Sequence, residues 1–252
     1  MIKIIRPTTT PDKLKNEGEA ANKKNCLDYD ADPNSYMNGT SSIDIDNSIY
    51  GHSSIKRILK KAQHNKCCFC EKDQVDEFGA VEHFRPKKGY KSTEKDKLKK
   101  PGYYWLGYNW NNLFFVCSAC NSAGNKGNLF PLLDESKRAK SHHDKVSDET
   151  PLLLDPCGPE DPRDHIYFDD EFPKSKSALG ANTIEICGLD RDALNEKRKK
   201  LIADIDVRIV IIASKMGMSK TETDKAKDYL LHSTQPTSEF SSSATDYIQQ
   251  FL

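Results

Sequence analysis

Two short stretches decide the fold, Cys67-Cys68-Phe69-Cys70 and Cys117-Ser118-Ala119-Cys120. Each contains two cysteines separated by two residues, a spacing at which two sulfur atoms can bind one metal ion. That spacing selects Cys67 over Cys68, because it gives both sulfurs room to converge. A shell of four thiolates is closed to water, so it holds a fold together and does no chemistry. We therefore predict a structural zinc ion, with iron as the alternative in the same shell, bound by Cys67, Cys70, Cys117 and Cys120.

The composition favours metal binding as the reason for these cysteines. The chain has 252 residues, 36% of them hydrophobic, enough for one sizeable or two modest domains. Its 38 basic and 38 acidic residues cancel, so an anion would be bound by local clusters and not by the net charge. No apolar run approaches the roughly 20 residues of a membrane span, and residues 1–7 lack the pattern of a signal peptide. We expect a cytoplasmic protein with no membrane partner, in which clustered cysteines bind metal instead of forming disulfides.

The first half of the chain divides into two regions. Residues 1–51 are polar and show little periodicity, so we expect an irregular N-terminal segment. Residues 52–133 contain both cysteine pairs and are expected to form the core of the functional site. Within them, His52-Ser53-Ser54 can cap a helix that ends before the first cysteine pair. The apolar run Leu113-Phe114-Phe115-Val116 predicts a buried strand.

The C-terminal region, residues 134–252, should be mainly helical. Asp190 is positioned to cap a long helix whose apolar residues fall on one face. Two shorter helices are expected near residues 221–232 and 243–252, and the serine-rich stretch 238–243 suits a linker. These helices could dock a partner, although packing against the core is the simpler interpretation.

The chemistry is expected between the two cysteine pairs, where Glu82-His83 ends a predicted strand. Neighbouring strand residues face opposite sides, so the carboxylate can reach a metal ion while the imidazole faces a water poised for attack. Alone, an ordinary surface Glu-His pair would be the simpler interpretation. The catalytic interpretation of Glu82-His83 is favoured by the residues that follow, which occur in the order expected of one particular site. These are residues 108–121, Tyr-Asn-Trp-Asn-Asn-Leu-Phe-Phe-Val-Cys-Ser-Ala-Cys-Asn.

This ordered set resembles the zinc-containing HNH endonucleases, which combine a cysteine pair, Glu-His, Asn-Leu, a strand, Cys-x-x-Cys-Asn and a following Lys. Over roughly residues 55–215 the chain is also similar to a narrower family, the PtuB nucleases of Septu and related retron anti-phage defence systems. Five further landmarks carry that similarity, namely residues 81–87 (VEHFRPK), 102–106 (GYYWL), 128–132 (NLFPL), 152–157 (LLLDPC) and 184–189 (IEICGL).

The resemblance implies roles for individual residues. His83 would be the general base, Glu82 a ligand of a catalytic Mg²⁺ or Mn²⁺ ion, and Asn121 its second ligand. Asn112 would be structural and orient the loop. Carboxylate and amide oxygens are ligands that these hard ions prefer. The family more often has Asp at the position of Glu82, and many members have His where this chain offers Asn121 or Asn125, so Asn125 stays an alternative to Asn121.

The implied fold is α+β and predominantly helical, with a ββα-metal HNH core and four-cysteine zinc knuckles between N-terminal and C-terminal helices. The implied function is a metal-dependent endonuclease that hydrolyses DNA or RNA phosphodiester bonds, as the toxic effector of an anti-phage defence system. Its implied partners are a PtuA-like ATPase subunit and, as a further candidate, a retron reverse transcriptase with its DNA. The alternative is a non-catalytic zinc-finger module that binds nucleic acid or protein, which needs the cysteines but not Glu82, His83 or Asn121.

Phosphate binding is assigned first to Arg85 and Lys126, which are expected near the catalytic metal. A lysine-rich loop over residues 87–100 also carries aromatic residues, and lysines can neutralise phosphates while aromatic rings stack on bases. A solvated charge run is an equally good interpretation of that loop, because acidic residues dilute it. His143 is the one conceivable extra metal ligand. Surface or capping roles are otherwise expected for the remaining histidines, including His142, His143 and His165.

Overall fold

The computed structural model of the chain describes residues 1–76, 79–122, 124–214 and 218–251. Leu252, which falls in the last predicted helix, lies outside these residues. Within them the α-helices are α1 (Glu19–Ala31), α2 (Pro33–Met37), α3 (Asn47–Tyr50), α4 (Ser53–Ala62), α5 (Pro162–His165), α6 (Ala178–Ile186), α7 (Asp192–Ala213), α8 (Lys220–Ser233) and α9 (Ser241–Gln249). The strands are β1 (Ala80–His83), β2 (Leu113–Val116), β3 (Ile166–Asp169) and β4 (Phe172–Ser175). Short 3₁₀ helices span Tyr104–Leu106, Trp110–Asn112, Glu135–Lys137 and Val146–Asp148. The mixed, mainly helical class predicted from the sequence is confirmed.

The N-terminal segment is helical, which corrects the expectation of an irregular stretch over residues 1–51. Its helices begin at polar residues of the kind that the composition assigned to loops. Asp32 and Asp46 are the N-caps of α2 and α3, and their carboxylates accept hydrogen bonds from the backbone N–H groups of Ser35 and Ser48. The buried apolar residues of this segment are too widely spaced to give a helical periodicity, and they include Leu14, Tyr29, Ile43, Ile45 and Ile49.

Helix α4 is the helix predicted before the first cysteine pair. The side chain of His52 caps it by accepting a hydrogen bond from the N–H of Ser54. Just after the helix, the amide of Gln63 bonds to both backbone groups of Phe115, at 2.7 Å from the carbonyl oxygen and 2.9 Å from the nitrogen. The end of α4 is thereby fixed to the middle of strand β2.

Strand β2 is the buried strand predicted from residues 113–116, and all four of its residues are buried. It pairs antiparallel with β1, and His83 lies opposite Leu113 in the register. Alternate residues of β2 pack into two different apolar clusters, Phe114 into one and Phe115 into the other. Because the strand is covered on both faces, all of its residues are apolar and the sequence shows no alternation of polar and apolar residues.

The backbone after β2 forms a series of turns. In the described residues 117–122 and 124–128 the chain has no α-helix. Gly124 and Gly127 lie in this stretch, and Gly127 has a positive φ of 37°, which is unfavourable in a helix. Where the ββα-metal core was predicted, the structure has the paired strands β1 and β2, and the described residues 117–122 and 124–128 that follow them contain no helix.

The C-terminal region is mainly helical, with two corrections to the predicted boundaries. Helix α7 has Arg191 at its N-cap, whereas the carboxylate of Asp190 accepts a hydrogen bond from the side chain of Asn195. The serines expected in a linker, Ser241–Ser243, are buried in the first turn of α9. Their small side chains allow this turn to pack closely against the rest of the chain.

One apolar cluster joins all three regions that the sequence distinguished. It contains Met1 from the first region, Phe114 from the second and Leu194 from the third. A second cluster lies under α1, α3, α4 and the paired strands β1 and β2, and a third joins α7 to α9. No helix in the described part of the chain is both long and apolar enough to cross a bilayer.

Candidate metal centre and active-site cavity

The four predicted cysteines form one buried cluster. The sulfur atoms of Cys67, Cys70, Cys117 and Cys120 all lie within 4.8 Å of one another. The distance from Cys70 Sγ to Cys117 Sγ is 3.8 Å. Thiolates at about 2.3 Å from a tetrahedral zinc ion would be about 3.8 Å apart, so the cluster fits such an ion. All four are free cysteines, and this four-cysteine cluster could hold a metal ion such as zinc.

Cys68, the neighbour of Cys67 in the sequence, is buried but does not belong to the four-cysteine cluster. A cation lies beside the sulfurs. Arg191 Nη2 is 3.5 Å from Cys120 Sγ and 4.0 Å from Cys117 Sγ. Burial would lower the pKa of Arg191, but the neighbouring sulfur atoms outweigh it and raise that pKa. Four thiolates around a divalent ion carry excess negative charge, which this guanidinium partly neutralises.

A buried polar network joins the first cysteine pair to the C-terminal helix. Glu71 accepts from the Met1 amino group at 2.6 Å and from Lys66 Nζ at 3.3 Å. It also accepts from the hydroxyl of Ser241 at 2.9 Å and the N–H of Ser242 at 3.3 Å. Burial would raise the pKa of Glu71, but the two cations outweigh it and lower that pKa well below its ordinary value. This network was missed from the sequence, because its members lie far apart along the chain.

His83 lies at the end of β1 with its ring held at both nitrogens. Nε2 donates a hydrogen bond to the carbonyl of Gly107 at 2.9 Å, and Nδ1 lies 3.2 Å from Lys87 Nζ. The ring of Tyr50 meets it edge-on, with centroids 4.6 Å apart. Burial, and then the charge of Lys87, lower the pKa of His83 well below its ordinary value. One nitrogen donates and the other accepts, so the imidazole is neutral.

Glu82, the neighbour of His83 in β1, lies beside a buried lysine. Its Oε1 lies 3.2 Å from Nζ of Lys126, and the same ammonium donates to the backbone carbonyl of His83 at 2.7 Å. Lys126 is 0% exposed. The expectation that Lys126 binds phosphate is therefore corrected, because its ammonium is enclosed and pairs with protein groups. Its contribution is to neutralise Glu82 and to fix the end of β1.

Arg85 is also directed away from the cavity, which corrects its assignment to phosphate. Its Nε donates to the buried carboxylate of Glu149 at 2.9 Å, and its guanidinium lies over the ring of Phe130. Asn112 lies beside it and is buried. The amide of Asn112 accepts from Arg85 N–H at 2.7 Å and donates to the carbonyl oxygens of Arg85 and Leu106. This is the geometry of a residue that orients the loop after β1.

An open cavity of about 730 Å³ brings the predicted catalytic residues together. We call it the lysine cavity. Glu82, His83 and Asn121 line it, whereas the amide of Asn125 donates to Ala119 O and Ser122 Oγ in the adjacent turn. The cavity is also lined by residues from the lysine-rich loop and from the turns after β2, which are Pro86, Lys87, Lys88, Lys91, Glu94, Gly124, Gly127, Asn128 and Leu129.

The contact of Lys87 with His83 was missed from the sequence, although Lys87 belongs to the quoted stretch 81–87. Its ammonium also lies over the ring of Tyr50, 4.6 Å from the centroid. Burial lowers the pKa of Lys87, while the charge of Glu82 opposes that effect. Of the lysine-rich loop, Lys87, Lys88 and Lys91 thus line the cavity, and Lys87 contacts His83.

Comparisons with known proteins agree with the predicted similarity. The chain is 39% identical to Septu protein PtuB of Bacillus mycoides (strain KBAB4) over 176 residues, which are 68% of this chain and 58% of that protein. It is 27% identical to Septu protein PtuB of Bacillus thuringiensis over 216 residues, 80% of this chain and 71% of that protein. It is also 24% identical to Septu protein PtuA of Bacillus mycoides over 152 residues, 60% of this chain and 21% of that protein. Similarity to PtuB is therefore confirmed, over little more than half the length of the first of these relatives. No family model and no solved structure matches the chain.

Proposed function

We propose that this chain is a metal-dependent endonuclease of the HNH type, and that it serves as the effector nuclease of a Septu-type anti-phage defence system. One observation carries the proposal. Glu82, His83 and Asn121 come from β1 and from the turn after β2, and all three line one open cavity together with three lysines. A base, hard oxygen ligands and cations are the groups that phosphodiester hydrolysis needs.

His83 would act as the general base. Because Nε2–H donates to the carbonyl of Gly107, the lone pair that can take a proton is on Nδ1. The same carbonyl fixes the ring and stabilises the imidazolium that forms after proton transfer. Nδ1 already accepts from Lys87 Nζ, so that ammonium must move before a water can donate there. A phosphate in the lysine cavity would attract the ammonium and free Nδ1.

The residues present fit a hard divalent ion. Glu82 supplies carboxylate oxygen and Asn121 amide oxygen, and both line the cavity. Lys126 engages Oε1 of Glu82, which leaves Oε2 available to a ligand. Mg²⁺ or Mn²⁺ bound there would polarise the phosphodiester and stabilise the leaving 3′ oxygen. Asn121 is preferred to Asn125 because the amide of Asn125 holds the adjacent turn.

The four-cysteine cluster would hold zinc as a structural ion. Cys120 directly precedes Asn121, and Cys117 directly follows β2. An ion bound by the cluster would therefore fix the turn that carries Asn121 relative to the strand pair that carries Glu82 and His83. Zinc would act on catalysis only through this positioning, because a closed shell leaves no site for water.

The proposed partner is a PtuA-like ATPase. The proposal is supported by the similarity of this chain to both PtuB and a segment of PtuA. A retron reverse transcriptase with its DNA stays a prediction from the resemblance alone. A partner that controls access to the lysine cavity would also limit damage to the host.

The test is cleavage of labelled duplex DNA, single-stranded DNA and RNA by the full chain and by His83→Ala. Each is assayed with Mg²⁺, with Mn²⁺ and with chelator, first alone and then with the ATPase partner. His165→Ala is the control, because that histidine is also held at both ring nitrogens but lies outside the cavity. We expect a loss of about 10²- to 10⁴-fold for His83→Ala and none for His165→Ala.

The pattern of cleavage identifies both class and substrate. Cleavage that needs a divalent ion and His83 supports the nuclease, and the strand that is cut names the substrate. Equal cleavage by His83→Ala and the wild type would overturn the role of His83. If nothing is cut even with the partner, while nucleic acid or protein is still bound, the chain is a zinc-finger binding module instead.

A further inference from the structure

We infer a second metal site, for a divalent transition ion such as zinc, formed by Asp30, His142 and His143. The ligand atoms of these three residues lie within 4.8 Å of one another, and they are remote in sequence from the four-cysteine cluster. His142 Nε2 is 3.3 Å from Asp30 Oδ2, and His143 Nε2 is 2.8 Å from Asp30 Oδ1. Two imidazole nitrogens and one carboxylate oxygen are a ligand set for zinc and related ions, with a position left open for water.

The ring of His142 is held in the orientation that such a ligand needs. Its Nδ1 lies 2.6 Å from the hydroxyl of Tyr104, so Nε2 is the nitrogen directed at Asp30. Tyr104 is fully buried, and Tyr29 stacks on it with ring centroids 4.9 Å apart. Metal-binding histidines usually have their second ring nitrogen fixed by such a partner, which sets the tautomer.

The turn that carries the two histidines is preformed. The carboxylate of Asp144 accepts hydrogen bonds from the N–H groups of Lys140 and Ser141, at 2.9 and 3.0 Å. The rings of His142 and His143 follow directly, with centroids 4.0 Å apart. Both therefore face the same carboxylate without further ordering of the chain, which lowers the cost of binding an ion.

The position of Asp30 on its helix would also favour a bound cation. It lies in the last turn of α1, a helix with no basic residue in that turn. A carboxylate near the negative end of the helix dipole is unfavourable unless a positive charge lies beside it. A divalent ion between Asp30 and the two imidazoles would supply that charge and would join α1 to the 140–144 turn.

Occupancy of this site would also support the region around His83. Tyr104 begins the 3₁₀ helix Tyr104–Leu106, and the next residue is Gly107, whose carbonyl accepts from His83. The inference does not depend on nuclease activity, since its support comes from Asp30, His142, His143 and their surroundings.

The test is the zinc content of the full chain after dialysis against low-micromolar free zinc, with millimolar Mg²⁺ present to fill the lysine cavity. His143→Ala and Asp30→Asn are compared with wild type. His143 is 64% exposed, so its replacement should leave the fold intact. His232→Ala is the control, because His232 is a histidine on an exposed part of α8. We expect each site variant to hold one zinc fewer than wild type, and the control to hold the same number.

Two further measurements separate this site from the others. In cobalt-substituted protein, the thiolate-to-cobalt absorption of the four-cysteine cluster should be unchanged in His143→Ala, which shows that the variant is folded around that cluster. Glu82→Gln should hold as much zinc as wild type. Equal zinc content in His143→Ala and wild type overturns the inference, and so does loss of the additional zinc in Glu82→Gln but not in His143→Ala.

Discussion

The four-cysteine cluster and the lysine cavity differ in burial and in the kind of atom that they offer a metal ion, although residues adjacent in the sequence contribute to both. The cluster is buried, has soft sulfur ligands and is closed by its own four side chains. The cavity is open and is lined by lysines and by Glu82 and Asn121, whose oxygen atoms are the proposed ligands of a hard ion. They meet between Cys120 and Asn121, where one turn serves both. Removing the cluster should therefore damage both sites, whereas changes in the cavity should affect its chemistry and leave the cluster intact.

The largest expected effect is that of Cys117→Ser. The variant should lose one zinc and at least about 4 kcal/mol of unfolding free energy, because metal binding and folding are linked in such sites. Metal analysis and thermal melting measure both. The matched control is Cys68→Ser, a buried cysteine one residue from the cluster, which should keep its zinc. Full zinc and an unchanged melting curve in Cys117→Ser would refute the metal assignment.

A smaller effect on stability is expected for Lys126→Met, a substitution of the buried lysine beside Glu82. Methionine keeps the apolar stem but removes the ammonium, so Glu82 and the His83 carbonyl lose a buried partner. We expect a loss of about 2–3 kcal/mol in denaturant unfolding, recovered in part by Mg²⁺, whose charge would replace the ammonium beside Glu82. Lys97→Met, at an exposed lysine, should be neutral.

This variant also decides between two roles of Lys126. A variant as stable as wild type that binds nucleic acid less well would restore the phosphate role that the buried geometry argues against. Zinc content should be unchanged in either case, since Lys126 is not a member of the four-cysteine cluster.

A further pair of substitutions tests whether Asn121 or Asn125 is the ligand of the catalytic ion. Asn121→Ala removes an oxygen that lines the cavity, so the concentration of Mg²⁺ needed for half-maximal cleavage should rise about tenfold. Asn125→Ala removes hydrogen bonds within the turn and should lower stability without changing that concentration. Metal titrations of the cleavage rate distinguish the two, and a larger rise for Asn125→Ala would exchange their roles.

Parts of the molecule with a local signal were predictable from the sequence. The cysteine spacing identified the cluster, the continuous apolar run identified β2, and the cap at His52 identified α4. Helices α1 to α3 were missed, because their anchors are sparse and their caps look like loop residues. The contact of Arg191 with the cluster, the Glu71 network and the contacts of Asp30 were missed because they join distant parts of the chain.

The candidate site shows the same division between local and distant information. The order of motifs along the chain pointed to Glu82, His83 and Asn121, which line one cavity. The burial of Lys126 and the pairing of Arg85 with Glu149 could not be read from composition, since a lysine or arginine near a site is exposed unless a particular partner is present. Their basic character indicated phosphate, and tertiary contacts gave them another role.

The smallest expected effect is that of Lys87→Ala, and it sharpens the contrast between the cavity and the cluster. Its ammonium lies beside His83 Nδ1 and lines the cavity, so it should contribute about one phosphate contact. Binding of a nucleic acid to a cleavage-inactive His83→Ala background, measured over a range of salt concentrations, should show a slope smaller by about 1 with Lys87→Ala. Lys97→Ala should leave the slope unchanged, because Lys97 is not among the cavity residues. An unchanged slope with Lys87→Ala would mean that this ammonium does not contact the nucleic acid, and the movement toward phosphate proposed for it would be refuted.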